Sequence, residues 1–131
     1  MAKFKILLVD DEEEFVKSLA ERLRIRNLDP DTVFNGEQAL SFVELQEPDV
    51  MVLDLRMPGI GGMEVLSQIK KNHPDIQVII LTGHGNKDHE DQALRLGAFG
   101  YLEKPVDIDK LVKSMKQAYE HKIHKTITAA A

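Results

Sequence analysis

Apolar residues follow two rhythms along the chain, short uninterrupted runs and longer stretches spaced every three or four residues, and the two kinds alternate. The first rhythm reads as strand and the second as helix, and their alternation signals βαβ units around a parallel sheet. Phe4 to Val9 is apolar at consecutive positions after Lys5, as in a strand covered on both faces, so it belongs in the middle of the sheet. Phe15, Val16, Leu19 and Leu23 repeat at helical spacing up to Ile25 and leave Lys17, Glu21, Arg22 and Arg24 for solvent. The strand around Asp29 to Val33 carries Pro30, which cannot donate to a ladder, and is therefore placed at a sheet edge.

Asn35-Gly36 reads as a turn before a helix over Glu37 to Leu45, followed by a strand over Val50 to Asp54. Met63, Val65, Leu66 and Ile69 mark the next helix, which His73-Pro74 stops because the residue before proline disfavours helical geometry. A fourth strand spans Val78 to Thr82, a weakly apolar helix Asp88 to Leu96, and a short strand Tyr101-Leu102. Asp107 is placed to cap a last helix built on Leu111, Val112, Met115, Tyr119 and Ile123. The expected architecture is α/β: a doubly wound, five-stranded parallel sheet in the order 2-1-3-4-5 with helices on both faces. The expected organisation is one domain over residues 1–125 and a disordered tail over 126–131.

Composition narrows the class. A chain of 131 residues has the length of one domain. With 43% hydrophobic and 30% charged residues it is too apolar for intrinsic disorder. It has no cysteine, which excludes a disulfide framework and a cysteine-ligated zinc. Its apolar runs fall far short of the roughly 20 residues a membrane helix needs, and MAKFK lacks a signal-peptide core, so the expectation is a cytoplasmic protein with no membrane partner. A net charge of −5 argues against direct binding of nucleic acid. The five histidines show no ligand-like spacing and are expected at the surface.

The chemistry gathers where strands end. In an open parallel sheet the carboxyl ends of the strands share one edge, and here those ends carry Asp10 and Asp11, then Asp54, then Thr82, with Lys104 after the last strand. Taken singly, each has an ordinary explanation: a loop pair, a strand-end cap, a strand threonine, a solvated lysine. Together, clustered carboxylates repel unless a cation joins them, and magnesium favours such oxygen ligands. Three acids, a hydroxyl and an ammonium group imply a divalent cation and a phosphoryl group.

The segments VDDE, DLRMPGIGGMEVL, LTGHG and GAFGYLEKP, in this order, resemble the response-regulator receiver domains of two-component signalling, with a flavodoxin-like fold, over nearly the whole chain. The resemblance implies that Asp54 is the phosphoacceptor. It implies that Asp10, Asp11, Asp54 and the backbone carbonyl of Arg56 surround magnesium, Asp10 through water. Thr82 and Lys104 would bind phosphoryl oxygens, Gly83 would leave room and offer its amide, and Tyr101 would be the aromatic switch. Arg56 and His84 stand at the positions that tune acyl-phosphate lifetime. The implied partners are a histidine kinase or phosphotransfer protein and a downstream target or output domain, for a stand-alone regulator or an excised receiver. A magnesium-dependent phosphohydrolase with an aspartyl nucleophile is the enzymatic alternative, but it needs a second acid two residues beyond the nucleophile, where this chain has Arg56. A structural domain that is never phosphorylated is the other alternative, and the complete set of five side chains argues against it.

Overall fold

The computed structural model of the protein describes residues 3–130, without the side chains at 126 and 128–130. Its elements are β1 (Ile6–Val9), α1 (Glu13–Ile25), β2 (Asp31–Val33), α2 (Gly36–Leu45), β3 (Val50–Leu53), α3 (Gly62–Asn72), β4 (Gln77–Thr82), α4 (Lys87–Arg95), β5 (Gly100–Glu103) and α5 (Ile108–Ala130). The strands form one parallel sheet in the order β2-β1-β3-β4-β5. β2 lies at the edge as expected, but Pro30, expected within the strand, immediately precedes it, so its missing N–H is not what places β2 there.

The uninterrupted apolar runs are explained by two separate cores. Successive side chains of a strand point to opposite faces. Ile6, Leu8, Val50, Val52, Ile79 and Leu81 therefore pack with Val16, Leu19 and Leu23 of α1 and Leu111, Val112 and Met115 of α5. Their neighbours Leu7, Val9, Met51, Leu53, Val78 and Ile80 pack on the other face with Val43 of α2, Val65, Leu66 and Ile69 of α3, and Ala93 of α4. A strand with helices on both sides has no face left for polar residues.

Two helix ends differ from the expectation. Asn35 is the N-cap of α2, not a free turn: its side chain accepts from the Gln38 N–H at 2.8 Å, while the Gln38 side-chain oxygen accepts from the Phe34 N–H at 2.8 Å. This reciprocal pair satisfies two backbone donors and places Gly36 in the first turn. At the other end of the chain, α5 continues to Ala130, past the boundary expected at 125. Its last residues include alanine, the best helix former, and no breaker. Ala131, the end of the expected tail, and Met1 and Ala2 at the start lie outside the described residues. Asp107 does cap α5, its carboxylate accepting from the Asp109 N–H and its carbonyl from the Leu111 N–H.

Candidate functional site

The ladder itself assembles the site. Asp10 follows β1 and donates its N–H to the Val33 carbonyl, and Asp54 follows β3 and donates to the Val9 carbonyl. Lys104 follows β5 and donates its N–H to the carbonyl of Thr82, the last residue of β4. Four side chains distant in sequence thus share the carboxyl edge of the sheet, as parallel topology dictates. The Lys104-Pro105 peptide is cis.

Lys104 is the centre of the charge network. Its Nζ donates to Asp10 Oδ2 at 2.7 Å and Glu12 Oε1 at 2.7 Å, and lies 3.9 Å from Asp54 Oδ2. It also stands 4.4 Å from the ring centroid of Phe15, a cation–π contact. Asp10 and Asp54 are 4% and 2% exposed. Burial pushes the Asp10 carboxyl up, with the Lys104 hydrogen bond and the Glu12 N–H pulling it back and the charge of Asp54 adding to the rise. Burial draws the Lys104 ammonium down, but the carboxylates of Asp10 and Glu12 and the charge of Asp54 outweigh it, and the net direction is up. The Lys104 hydrogen bond holds the Glu12 carboxyl below its ordinary value.

This oxygen-rich group fits a hard cation. Asp10, Glu12 and Asp54 each offer a carboxylate oxygen, all within 4.8 Å of one another. Asp54 Oδ1 is buried with no hydrogen-bond partner among the described residues, which in a low-dielectric surround is the costly state of a carboxylate. An all-oxygen donor set suits magnesium or a similar ion and not a soft metal. Asp11, expected in this group, is exposed and not part of the cluster, and Glu12 stands in it. Arg56 is exposed in the loop after β3.

The other expected residues lie at the same edge. Thr82 is fully buried, and its Oγ1 accepts from the His84 N–H at 3.3 Å. Gly83 is exposed beside the Lys104 stem, where an added Cβ would stand 3.8 Å from it. Arg56 and His84 share the lining of a cavity of about 270 Å³ with Leu55, Met57, Met63 and His89. Tyr101 is half-buried, its hydroxyl is buried without a hydrogen-bond partner among the described residues, and burial pushes that hydroxyl up, aided by the charges of Glu103 and Glu90.

Three contributors escaped the sequence reading. Glu12 had the signal of a third acid after Asp10-Asp11, but nothing local distinguished it from Glu13 or Glu14. Gly85 makes room for Tyr101: an added Cβ would stand 1.4 Å from the tyrosine hydroxyl and 3.0 Å from Thr82 Cγ2. Gly62 lets α3 start against the backbone of Asp54, since a Cβ there would lie 2.3 Å from the Asp54 carbonyl oxygen. Two histidines also differ from the expected surface placement: His73 and His89 are half-buried, and His89 Nδ1 is buried with no partner.

Comparison with known proteins adds a family. The family described as response regulator receiver domain matches over residues 6–116. The chain is 39% identical over 116 residues to the DNA-binding transcriptional regulator NtrC of Salmonella typhimurium, covering 88% of this chain and 25% of that protein. It is 38% identical to the C4-dicarboxylate transport transcriptional regulatory protein DctD of Pseudomonas aeruginosa, covering 91% and 26%. Among solved structures, the signal receiver domain of a LuxO repressor protein from Vibrio parahaemolyticus superposes with a TM-score of 0.90 at 28% identity, covering 97% of this chain and 98% of that one. The chain spans about a quarter of the length of the curated relatives it matches.

Proposed function

Because the chain belongs to the response regulator receiver domain family, a family of phosphorylation-activated switches, we propose that Asp54 is the residue that accepts the phosphoryl group. The observation that carries this is the Asp54 carboxylate itself: buried, facing Lys104 with one oxygen and leaving the other without a partner. In the transfer, an Asp54 oxygen forms the new P–O bond as the P–N bond of a phosphohistidine donor breaks, its electron pair stays on the ring nitrogen, and the imidazole leaves neutral because its other nitrogen carries a proton. The charge that develops is spread over the equatorial oxygens, so positioned cations supply most of the catalysis. Lys104 provides one such charge and Thr82 a hydroxyl, with the Gly83 amide beside them.

Magnesium is the proposed cofactor, held by Asp10, Asp54 and the Arg56 carbonyl, with Asp11 turning in from its exposed position. Bound there, it neutralises the acids and orients the phosphoryl oxygens. The proposed donor is a histidine kinase or phosphotransfer protein, and the proposed receiver of the signal is a protein target or an attached output domain. Receiver domains are switches, and the finer statement that this one assists its own phosphorylation and dephosphorylation is part of the proposal. So is a cytoplasmic location: among the described residues no helix is long and apolar enough to cross a membrane. Phosphorylation adds charge and acceptor oxygens that Thr82 and Lys104 would follow, with Tyr101 relaying the movement to α4, β5 and α5. Arg56 and His84, on the rim of one cavity, would control water access and hence phosphoryl lifetime.

Incubation with acetyl phosphate and magnesium, followed by intact mass, tests the assignment. The expected result is a gain of one phosphoryl group that needs magnesium and vanishes in Asp54→Ala; undiminished labelling of that variant removes Asp54 from the role. In the same experiment, alanine at both Arg56 and His84 is expected to change the first-order decay of the label.

A further inference from the structure

Glu12 occupies the N-cap position of α1, yet its side chain makes no capping hydrogen bond to the helix. The carboxylate instead meets the Lys104 ammonium at 2.7 Å, as close as Asp10 does and closer than the 3.9 Å to Asp54. Lys104 is only 12% exposed at its side chain, whereas Glu12 is 59% exposed. The lysine is therefore held in the site, and the glutamate reaches to it from solvent. A cation held by Asp10 and Asp54 would neutralise the two deep partners of Lys104 and leave the more exposed Glu12 as its remaining anion.

Resting on the phosphoacceptor reading, we infer that Glu12 is a positioning residue that competes with the phosphoryl group for Lys104. In the resting protein it tethers the ammonium toward the mouth of the site, away from Asp54. A phosphoryl group on Asp54 has to draw Lys104 from this tether, so Glu12 sets how much of the phosphorylated state the site favours. The pair is partly screened, so the competition is modest in size.

Glu12→Gln keeps the side-chain length and removes the charge. Beryllofluoride, a phosphoryl mimic, titrated by NMR into wild type, Glu12→Gln, Lys104→Ala and the double variant at saturating magnesium, separates the possibilities. Expected is roughly three- to fivefold tighter beryllofluoride binding in Glu12→Gln, and no gain from the same change in the Lys104→Ala background. Magnesium affinity, titrated separately, is expected to change by about twofold or less. In the metal-free protein, ¹⁵N relaxation of the Lys104 ammonium should show greater mobility in Glu12→Gln. Weaker beryllofluoride binding, an equal gain without Lys104, or unchanged Lys104 mobility overturns the inference, and a loss of magnesium affinity of about tenfold or more replaces it with a ligand role for Glu12. Failure of the phosphoacceptor reading has a different mark, the absence of beryllofluoride binding by wild type and every variant alike.

Discussion

At Asp54, a single side chain holds a conflict between its proposed role and stability. Carboxylate oxygens within 4.8 Å of one another repel by about 3 kcal/mol or more at an effective dielectric near 20, and Lys104 offsets part of this for Asp10 and Asp54. Oδ1, without a hydrogen-bond partner among the described residues, adds a desolvation penalty. Asp54→Asn is expected to raise stability in chelator by about 1 kcal/mol, or roughly 3 °C in Tm for a domain of this size, and to abolish most of the stabilisation that wild type gains from millimolar magnesium. Thermal melts of both proteins with chelator and with magnesium decide it. A lower Tm for the variant in chelator would mean that attraction to Lys104 outweighs the repulsion. Asp11→Asn is expected to do less in chelator, because Asp11 is exposed and outside the carboxylate group. The adjacent pair Asp10-Asp11 was legible as site chemistry, but which acids would meet was not, because that depends on how the chain leaves β1 to enter α1.

Among the elements, α2 and α3 are tied together at their C-terminal ends by His73, which follows α3 and bonds Glu47 at 3.1 Å and Glu44 at 3.3 Å. Burial draws its imidazole down, but the two glutamates outweigh this and the net direction is above the ordinary 6.5. A group whose folded value is raised contributes stability that is fully present below its unfolded value and is lost as pH rises through the folded one. The protein should therefore lose this increment as pH climbs from about 6.5 upward. His73→Gln should flatten that part of the Tm profile, the difference being on the order of 2 °C because both glutamates are largely solvated. A variant that keeps the wild-type slope between pH 6 and 8 would place the titration elsewhere. His73-Pro74 was readable in the sequence as a stop for α3; its pairing with α2 was not, since Glu44 and Glu47 lie more than twenty positions away.

For the whole molecule, the sheet divides the interior into two cores that do not share side chains. Ile6 of β1 belongs to the core under α1 and α5, and Ile80 of β4 to the core under α2, α3 and α4, with β3 between their strands. Ile6→Val and Ile80→Val should each cost about 0.5–1.5 kcal/mol, and the double variant should equal their sum within about 0.5 kcal/mol. Chemical denaturation of the three variants measures this, and a larger coupling would show that the sheet transmits strain between its faces. The alternation of apolar rhythms determined the element types and their order, the uninterrupted run of β1 its central place, and parallel topology the gathering of Asp10, Asp54, Thr82 and Lys104 at one end. Those properties follow from local periodicity and the geometry of parallel crossovers, which act wherever the pattern occurs. Only the tertiary structure decided that Glu12 and not Asp11 meets Lys104, that Gly85 gives Tyr101 its place, and that Gly62 lets α3 close on Asp54. Each of these is a contact between side chains or backbones brought within a few ångströms by packing, and no spacing within one element encodes such a distance.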